Sequence, residues 1–249
     1  VARQALPVNA FAGWLDATSW NAFDRVRVLT AAREQAMTKP EIIGSAKSTY
    51  TWVVRMVCEE KEIDYALIET PLHAPEIMAI HPLGKMPVLR HGEIELFESK
   101  AIATWLDRSF AGPRLFPDDP RRAALVEQWV SLVNTVIDGT LIRTYLFAYI
   151  APGTADGGPA RNAIAAVMPA VRQQLEILDR AVAKTGYLVD DQFTFADINL
   201  LPILYRVRQF PEGAEALAAL THLAGYFDRH AARPSFIRTI PPAGPPRRA

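Results

Sequence analysis

One cysteine stands in 249 residues. Cys58 therefore closes no internal disulfide, and no Cys-X-X-Cys redox pair exists. It sits in the apolar run T-W-V-V-R-M-V-C, where core filler is the better reading than a reactive thiol. No stretch approaches the roughly 18 uncharged apolar residues of a membrane span, so none is expected. Charge of one sign is missing too: 27 Lys/Arg meet 27 Asp/Glu, which argues against a nucleic-acid partner. The five histidines, His73, His81, His91, His222 and His230, lack metal-ligand spacing, so no metal is expected. His73 and His91 read as surface groups. Neither G-x-S-x-G nor G-x-x-x-x-G-K-[ST] occurs, which removes a serine-hydrolase elbow and a phosphate loop.

What is present is an ordinary globular composition, 50% apolar and 22% charged. Charge is unevenly spread. Residues 41–107 carry six basic and eleven acidic side chains, whereas 108–249 carry sixteen and thirteen. That contrast favours a division into parts. The first 36 residues have helical flavour in V-N-A-F-A-G-W-L and W-N-A-F-D-R-V-R-V-L, without the pattern of a secretory signal. Met37 opens M-T-K-P-E-I-I-G, which reads as a natural start, so 1–36 reads as an upstream extension or an appended leader, with a docking helix as the rival.

From Glu41 the elements are short and alternate. Strands are expected at 41–45, 65–69, 87–90 and 93–97, the last two joined through His91-Gly92 as a tight hairpin. Helices are expected at 49–61, briefly in P-E-I-M-A-I, and at 99–109. The order βαβ, short helix, ββ, α makes parallel pairing across the first crossover the expected arrangement. A Pro/Gly-dense stretch at 111–120 reads as a linker. Helical signals then cover 120–150, 160–185, 196–209 and 215–231. The division is thus an α/β domain at 37–110, a linker at 111–120, an all-helical domain at 121–235 and a loose tail at 236–249. Thr194 and Asp197 flank the start of one helix as a reciprocal cap, a structural feature.

The run from Ile80 to Ile102 is the most telling. It places Pro87 at a strand entrance, then a hairpin, then Glu98-Ser99 opening an apolar helix. A cis Met86-Pro87 bond would turn the Met86 backbone toward another extended chain; a simple strand-start proline is the plainer reading. Ser99 can cap the helix, and the same helix end suits a ligand carboxylate. Glu98 suits an ammonium, and Lys85 a second carboxylate. In G-S-A-K-S-T, Ser48 precedes a helix, where its hydroxyl either caps or donates to an incoming thiolate. Tyr50 is the second choice for that donor.

These segments resemble the soluble glutathione transferase superfamily, particularly bacterial members and the plant phi class with a catalytic serine. G-S-A-K-S-T-Y-T-W-V-V-R-M-V-C-E-E-K-E-I-D-Y looks like its first strand, loop and helix. H-P-L-G-K-M-P-V-L looks like its cis-proline segment, E-L-F-E-S-K-A-I like its γ-glutamyl site, and F-T-F-A-D at 193–197 like its capping box. The resemblance covers about residues 40–235. It implies a thioredoxin-like domain followed by an all-helical one, usually in a cytoplasmic homodimer, with glutathione as cosubstrate in detoxifying chemistry. Ser48 would activate the thiol, with Tyr50 as runner-up. Met86 and Pro87 would hold the cysteinyl backbone, Glu98 and Ser99 the γ-glutamyl end, and Lys85 with His73 the glycyl end. Leu72 and His73 replace the phi-like histidine-lysine pair, so one glycyl contact is lost or replaced. Lys47 occupies a position that is often apolar, and the stretch 1–36 has no counterpart.

The implied reaction is attack of the thiolate on a small, apolar electrophile. Arg143, Tyr145, Phe147 and Tyr149 are expected to wall the electrophile pocket, Arg143 attracting an anion; helix packing is the alternative for the aromatics. Peroxide reduction, dehalogenation, ether cleavage, isomerisation and a non-catalytic binding role remain as alternatives. A chain starting at Met37 is expected to keep its melting temperature and glutathione affinity; a large loss in either, measured by thermal melting and titration, would show that residues 1–36 are integral.

Overall fold

The computed structural model describes residues 38–155 and 157–242, so the helical readings within 1–36 lie outside the described residues. Residues from Lys39 onward belong to one unit. Its sheet begins with β1 (Glu41–Gly44), followed by α1 (Thr49–Glu60), β2 (Ala66–Glu69), the single turn α2 (Pro75–Met78), β3 (Val88–His91), β4 (Ile94–Phe97) and α3 (Ser99–Ser109). The strand order is β2-β1-β3-β4. β1 and β2 run parallel, as the α1 crossover dictates, while β3 is antiparallel to both β1 and β4.

Ile42 and Ile43 are both buried because successive strand residues face opposite sides. Ile42 joins the main core with α1 and α3, whereas Ile43 packs with Ile77 and Val88 beneath α2. The hairpin lies one residue later than expected. His91 ends β3 opposite Ile94, and Gly92 supplies φ +60 at the turn. His91 is buried, not a surface group. α3 folds back across β3, so Trp105 donates its indole N–H to His91 at 3.3 Å and Phe110 lies against the imidazole.

The stretch after α3 is pinned from inside. Lys61 and Asp107 form a fully buried ion pair at 3.3 Å. Lys61 also donates to the Pro113 carbonyl, and Asp107 accepts the Leu115 N–H at 2.9 Å. Breaking such a pair strands a buried charge, which costs more than the pair contributes.

The helical part opens with α4 (Pro120–Leu132), capped by Asp119 with proline at its first position. It continues without a break as a π-helical segment, Val133–Leu146, and then α5 (Phe147–Ile150). α6 (Arg161–Val182) and α7 (Phe195–Val207) follow. The single helix expected at 215–231 is two, α8 (Pro211–Ala218) and α9 (Thr221–Ala231). The break holds because Asp179 on α6 accepts the Leu223 N–H at 2.8 Å, satisfying one free donor of the new helix start. The tail expected to be loose from 236 instead continues α10 (Pro234–Thr239), which packs on α1. Trp52 donates to Thr239 Oγ1 at 2.8 Å, and Arg233 clasps Glu60 through two bonds at 2.8 and 2.7 Å.

The reciprocal cap of α7 forms as expected. Thr194 Oγ1 accepts from the helix backbone, and Asp197 accepts the Thr194 N–H. Asp197 does more, also accepting from the Leu188 N–H and the Tyr226 hydroxyl. Burial pushes its carboxyl up to about 6, against the opposing pull of these donors. The unfolded chain therefore releases this proton first. The group's stability contribution is full below about 3.8 and is lost as pH rises to about 6. Asp197→Ala is expected to destabilise the fold by about 2–4 kcal/mol, because several buried donors lose their acceptor. Urea unfolding at several pH values checks this; the deficit relative to wild type is expected to be larger at pH 4 than at pH 7.

Candidate functional site

A cleft of about 1430 Å³ opens between the sheet part and the helical part. Its floor is the turn from β1 into α1. Ser48 is the N-cap of α1, with extended backbone and its Oγ accepting the Thr51 N–H at 3.3 Å. That bond uses an oxygen lone pair and leaves the hydroxyl proton for a ligand. The loop before it is held from several sides. Ser45 N–H points at the Met86 sulfur at 3.3 Å, Ala46 N–H at Glu69 at 2.8 Å, and Arg206 Nη2 donates to the Lys47 carbonyl at 2.7 Å. Gly44 makes the close approach feasible, since a Cβ there would fall 2.8 Å from Thr51 Oγ1 and 3.2 Å from Met86 Cβ.

Met86-Pro87 is cis. No hydrogen bond among the described residues engages the Met86 N–H or C=O, so this backbone edge is open for strand-like pairing. Lys85 beside it is exposed and makes no ion pair among the described residues. His73 is exposed at φ +61, and its N–H donates to Gly84. Leu72 and His73 both line the cleft.

Glu98 and Ser99 exchange one expected role. Glu98, not Ser99, occupies the N-cap position of α3, and no side chain caps the helix. Ser99 is the first helical residue, buried, with the free N–H groups of the helix start around it. Glu98 holds φ +67, ψ +117, a conformation costly for any residue with a side chain and one that clusters at ligand clamps. His81 stands behind it, buried, with Nε2 at 3.8 Å from Glu98 Oε1. Its Nδ1 accepts the Leu83 N–H at 3.0 Å, which assigns the ring proton to Nε2, facing the carboxylate. Sequence reading missed His81 as a partner of Glu98; it sits 17 positions upstream with no motif to join them.

The helical side supplies the second wall. Tyr50 reaches across to it, its hydroxyl 3.5 Å from Asn134 Oδ1. Burial, then the nearby Asp138 carboxylate, push its phenol well above the ordinary tyrosine range. Of the four residues expected to wall the electrophile pocket, Arg143 and Phe147 line the cleft. Tyr145 and Tyr149 do not. They are buried on the other face of the helical rod, where Tyr145 accepts the Gly213 N–H at 2.8 Å, Tyr149 stacks on Phe210 and both hydroxyls meet Glu212. The winding of the π-helical segment decides this. Asn134, Asp138, Ile142 and Leu146 recur every fourth residue toward the cleft, which turns Leu141, Tyr145 and Tyr149 toward the core. Residues the sequence did not single out complete the wall: Tyr205, Arg206 and Gln209 from the end of α7, and Pro241 and Pro242 beyond α10. The only local signal was Y-R-V-R-Q-F, basic and aromatic at the end of an apolar helix.

Among the described residues no group of side chains is arranged to hold a metal ion, and no helix is long and apolar enough to cross a membrane. Two family models match the chain: "Glutathione S-transferase, N-terminal domain" over residues 42–114, and "Glutathione S-transferase, C-terminal domain" over residues 142–234. Glutathione S-transferase 3 of Zea mays is 28% identical over 213 residues, 82% of this chain and 94% of that protein. Among solved structures, glutathione S-transferase III in apo form matches with a TM-score of 0.75 at 26% identity, over 84% of this chain and 100% of that one. A theta-class glutathione S-transferase from Xanthomonas axonopodis pv. citri, with glutathione bound, matches at 0.71 and 26% identity, over 83% and 99%. With both halves of one family matched in order, and relatives spanned nearly end to end, the chain belongs to the soluble glutathione S-transferase superfamily.

Proposed function

We propose that this protein conjugates glutathione to small electrophiles, with Ser48 stabilising the attacking thiolate. The observation that carries the reading is the Ser48 hydroxyl: it caps α1 through its oxygen and keeps its proton for a ligand in the cleft. Glutathione lies extended, its cysteinyl backbone paired with the open Met86 edge beside Pro87. Its γ-glutamyl ammonium meets Glu98, and its α-carboxylate meets the α3 helix start at Ser99. Lys85 and His73 serve the glycyl carboxylate. The thiol then lies at the start of α1, where the Ser48 donor and the helix field favour its anion.

Transfer follows from placement. The thiolate attacks an electrophile held against the helical wall by Ile142, Phe147 and their neighbours, so proximity and a lowered thiol pKa supply the rate. Ser48 makes no covalent bond. Tyr50 is the weaker choice of activator, since its hydroxyl is already turned across the cleft to Asn134. Disulfide exchange through Cys58 has no support: the thiol is fully buried and burial raises its pKa. Exposed Phe97, which lies against His81, together with exposed Met78 and Leu83 offers apolar surface to a second copy, which favours a homodimer. The chemistry needs reduced glutathione, so the proposed location is the cytoplasm.

Ser48→Ala is expected to raise the pKa of bound glutathione and lower kcat/KM roughly 10- to 100-fold, with glutathione affinity nearly kept. Thiolate absorbance in the ultraviolet across a pH series measures this. An unchanged thiol pKa in Ser48→Ala, with loss in Tyr50→Phe, would move the role to Tyr50.

A further inference from the structure

The cleft is not evenly charged. Its lining holds four cations, Lys47, Lys85, Arg143 and Arg206, against two carboxylates, Glu98 and Asp138. Lys85 and Glu98 flank the open Met86 backbone and the start of α3, where the peptide is placed. That leaves Lys47, Arg143 and Arg206 in the other half, opposed by Asp138 alone. Asp138 is already committed to Arg143, whose Nε donates to it at 2.9 Å.

Arg206 is the group that decides. Its Nη2 donates to the Lys47 carbonyl at 2.7 Å, and its guanidinium stands 6.0 Å over the Trp52 ring. No carboxylate pairs with it among the described residues. Burial weakens its hold on its proton; the Tyr205 phenol opposes this, and no carboxylate does. A partly buried guanidinium without a counter-charge is costly, and an anionic ligand removes the cost. It has five N–H donors in a fixed fork, one of which serves Lys47. The same cleft has an apolar wall that includes Ile142, Leu146, Phe147 and Ile150. An apolar wall edged by an uncompensated guanidinium fits a ligand with an apolar body and one acidic group.

We propose that the electrophile half of this cleft takes organic acids, an apolar electrophile bearing a carboxylate or sulfonate, anchored by Arg206 with Lys47 and Arg143 in support. The chemistry rests on the transferase reading above; the anion site does not. With an aryl chloride acid, the glutathione sulfur attacks the carbon bearing chlorine. A carbon–sulfur bond forms, the carbon–chlorine bond breaks, chloride leaves with the bonding pair, and the thiol proton passes to solvent. The acid group is left unchanged.

The test pairs 4-chloro-3,5-dinitrobenzoate with its methyl ester at saturating glutathione, each rate divided by its uncatalysed rate. The acid-to-ester ratio of kcat/KM is expected near tenfold in the wild type, as for one charge-assisted anchor, and to fall with salt. Arg206→Met is expected to bring the ratio near one, and Arg206→Lys to restore part of it. A wild-type ratio of one, or a ratio unmoved by Arg206→Met, overturns the proposal. Because Arg206 also holds the loop before Ser48, binding is read separately. Unreactive 3,5-dinitrobenzoate and its methyl ester are titrated by calorimetry against the wild type, Arg206→Lys, Lys47→Gln and Arg206→Met. If neither chloride is turned over while the acid binds tighter than the ester in an Arg206-dependent way, the transferase reading falls and the acid site stands. If the acid binds no tighter than the ester, the acid site falls whatever the turnover.

Discussion

Helix α1 is enclosed on nearly every side, and the site inherits its rigidity from that enclosure. Trp52, Val53, Val54, Met56, Val57 and Cys58 are all removed from solvent. α3 and the sheet cover one side, and α7 and α10 cover the other. A helix apolar around most of its circumference has no solvent face to fall back on, so its axis is set by packing. Ser48 stands at its end. The proposed thiol-activating position is thereby fixed by a close-packed interior rather than by the loop that carries it. The indole bond from Trp52 to Thr239 and the clasp of Glu60 by Arg233 extend the same restraint to the last described helix.

The two sides of the cleft bind by different physics. On the sheet side the groups are backbone: the unengaged Met86 edge and the start of α3, with Glu98 held at positive φ against His81. Backbone donors are already oriented and lose little entropy when a ligand arrives. On the helical side the groups are long side chains, Arg143 and Arg206, set in apolar surroundings, with Lys47 facing them from the loop before α1. These can shift to suit differently shaped ligands. The first arrangement suits an invariant cosubstrate and the second a variable one.

How far the sequence carried depended on the range of the interaction. The sheet was readable because E-I-I-G, A-L-I-E and the paired strands around Gly92 obey local rules of alternation and turn chemistry. The α7 cap was readable for the same reason, its partners being three residues apart. His91 was misjudged because its burial depends on Trp105 and Phe110 returning over it. Tyr145 and Tyr149 were misplaced because a π-helical winding shifts which residues share a face, and aromatic content carries no phase. The division of 215–231 into two helices rests on Asp179, more than 40 positions away, and Arg206 enters the site through a bond to Lys47, 159 positions away. Side chains joined only by tertiary structure leave no periodic trace in the chain.

The main apolar core runs without interruption from Ile42 in the sheet, through α1, to Phe236 in α10. The two parts of the fold therefore share one interior, and neither can swing away without tearing it open. A hinge that closes over a substrate is denied to this architecture. The aperture of the cleft is set at folding, and accommodation of different electrophiles falls to rotation of the side chains that line it, a motion of roughly picoseconds to nanoseconds.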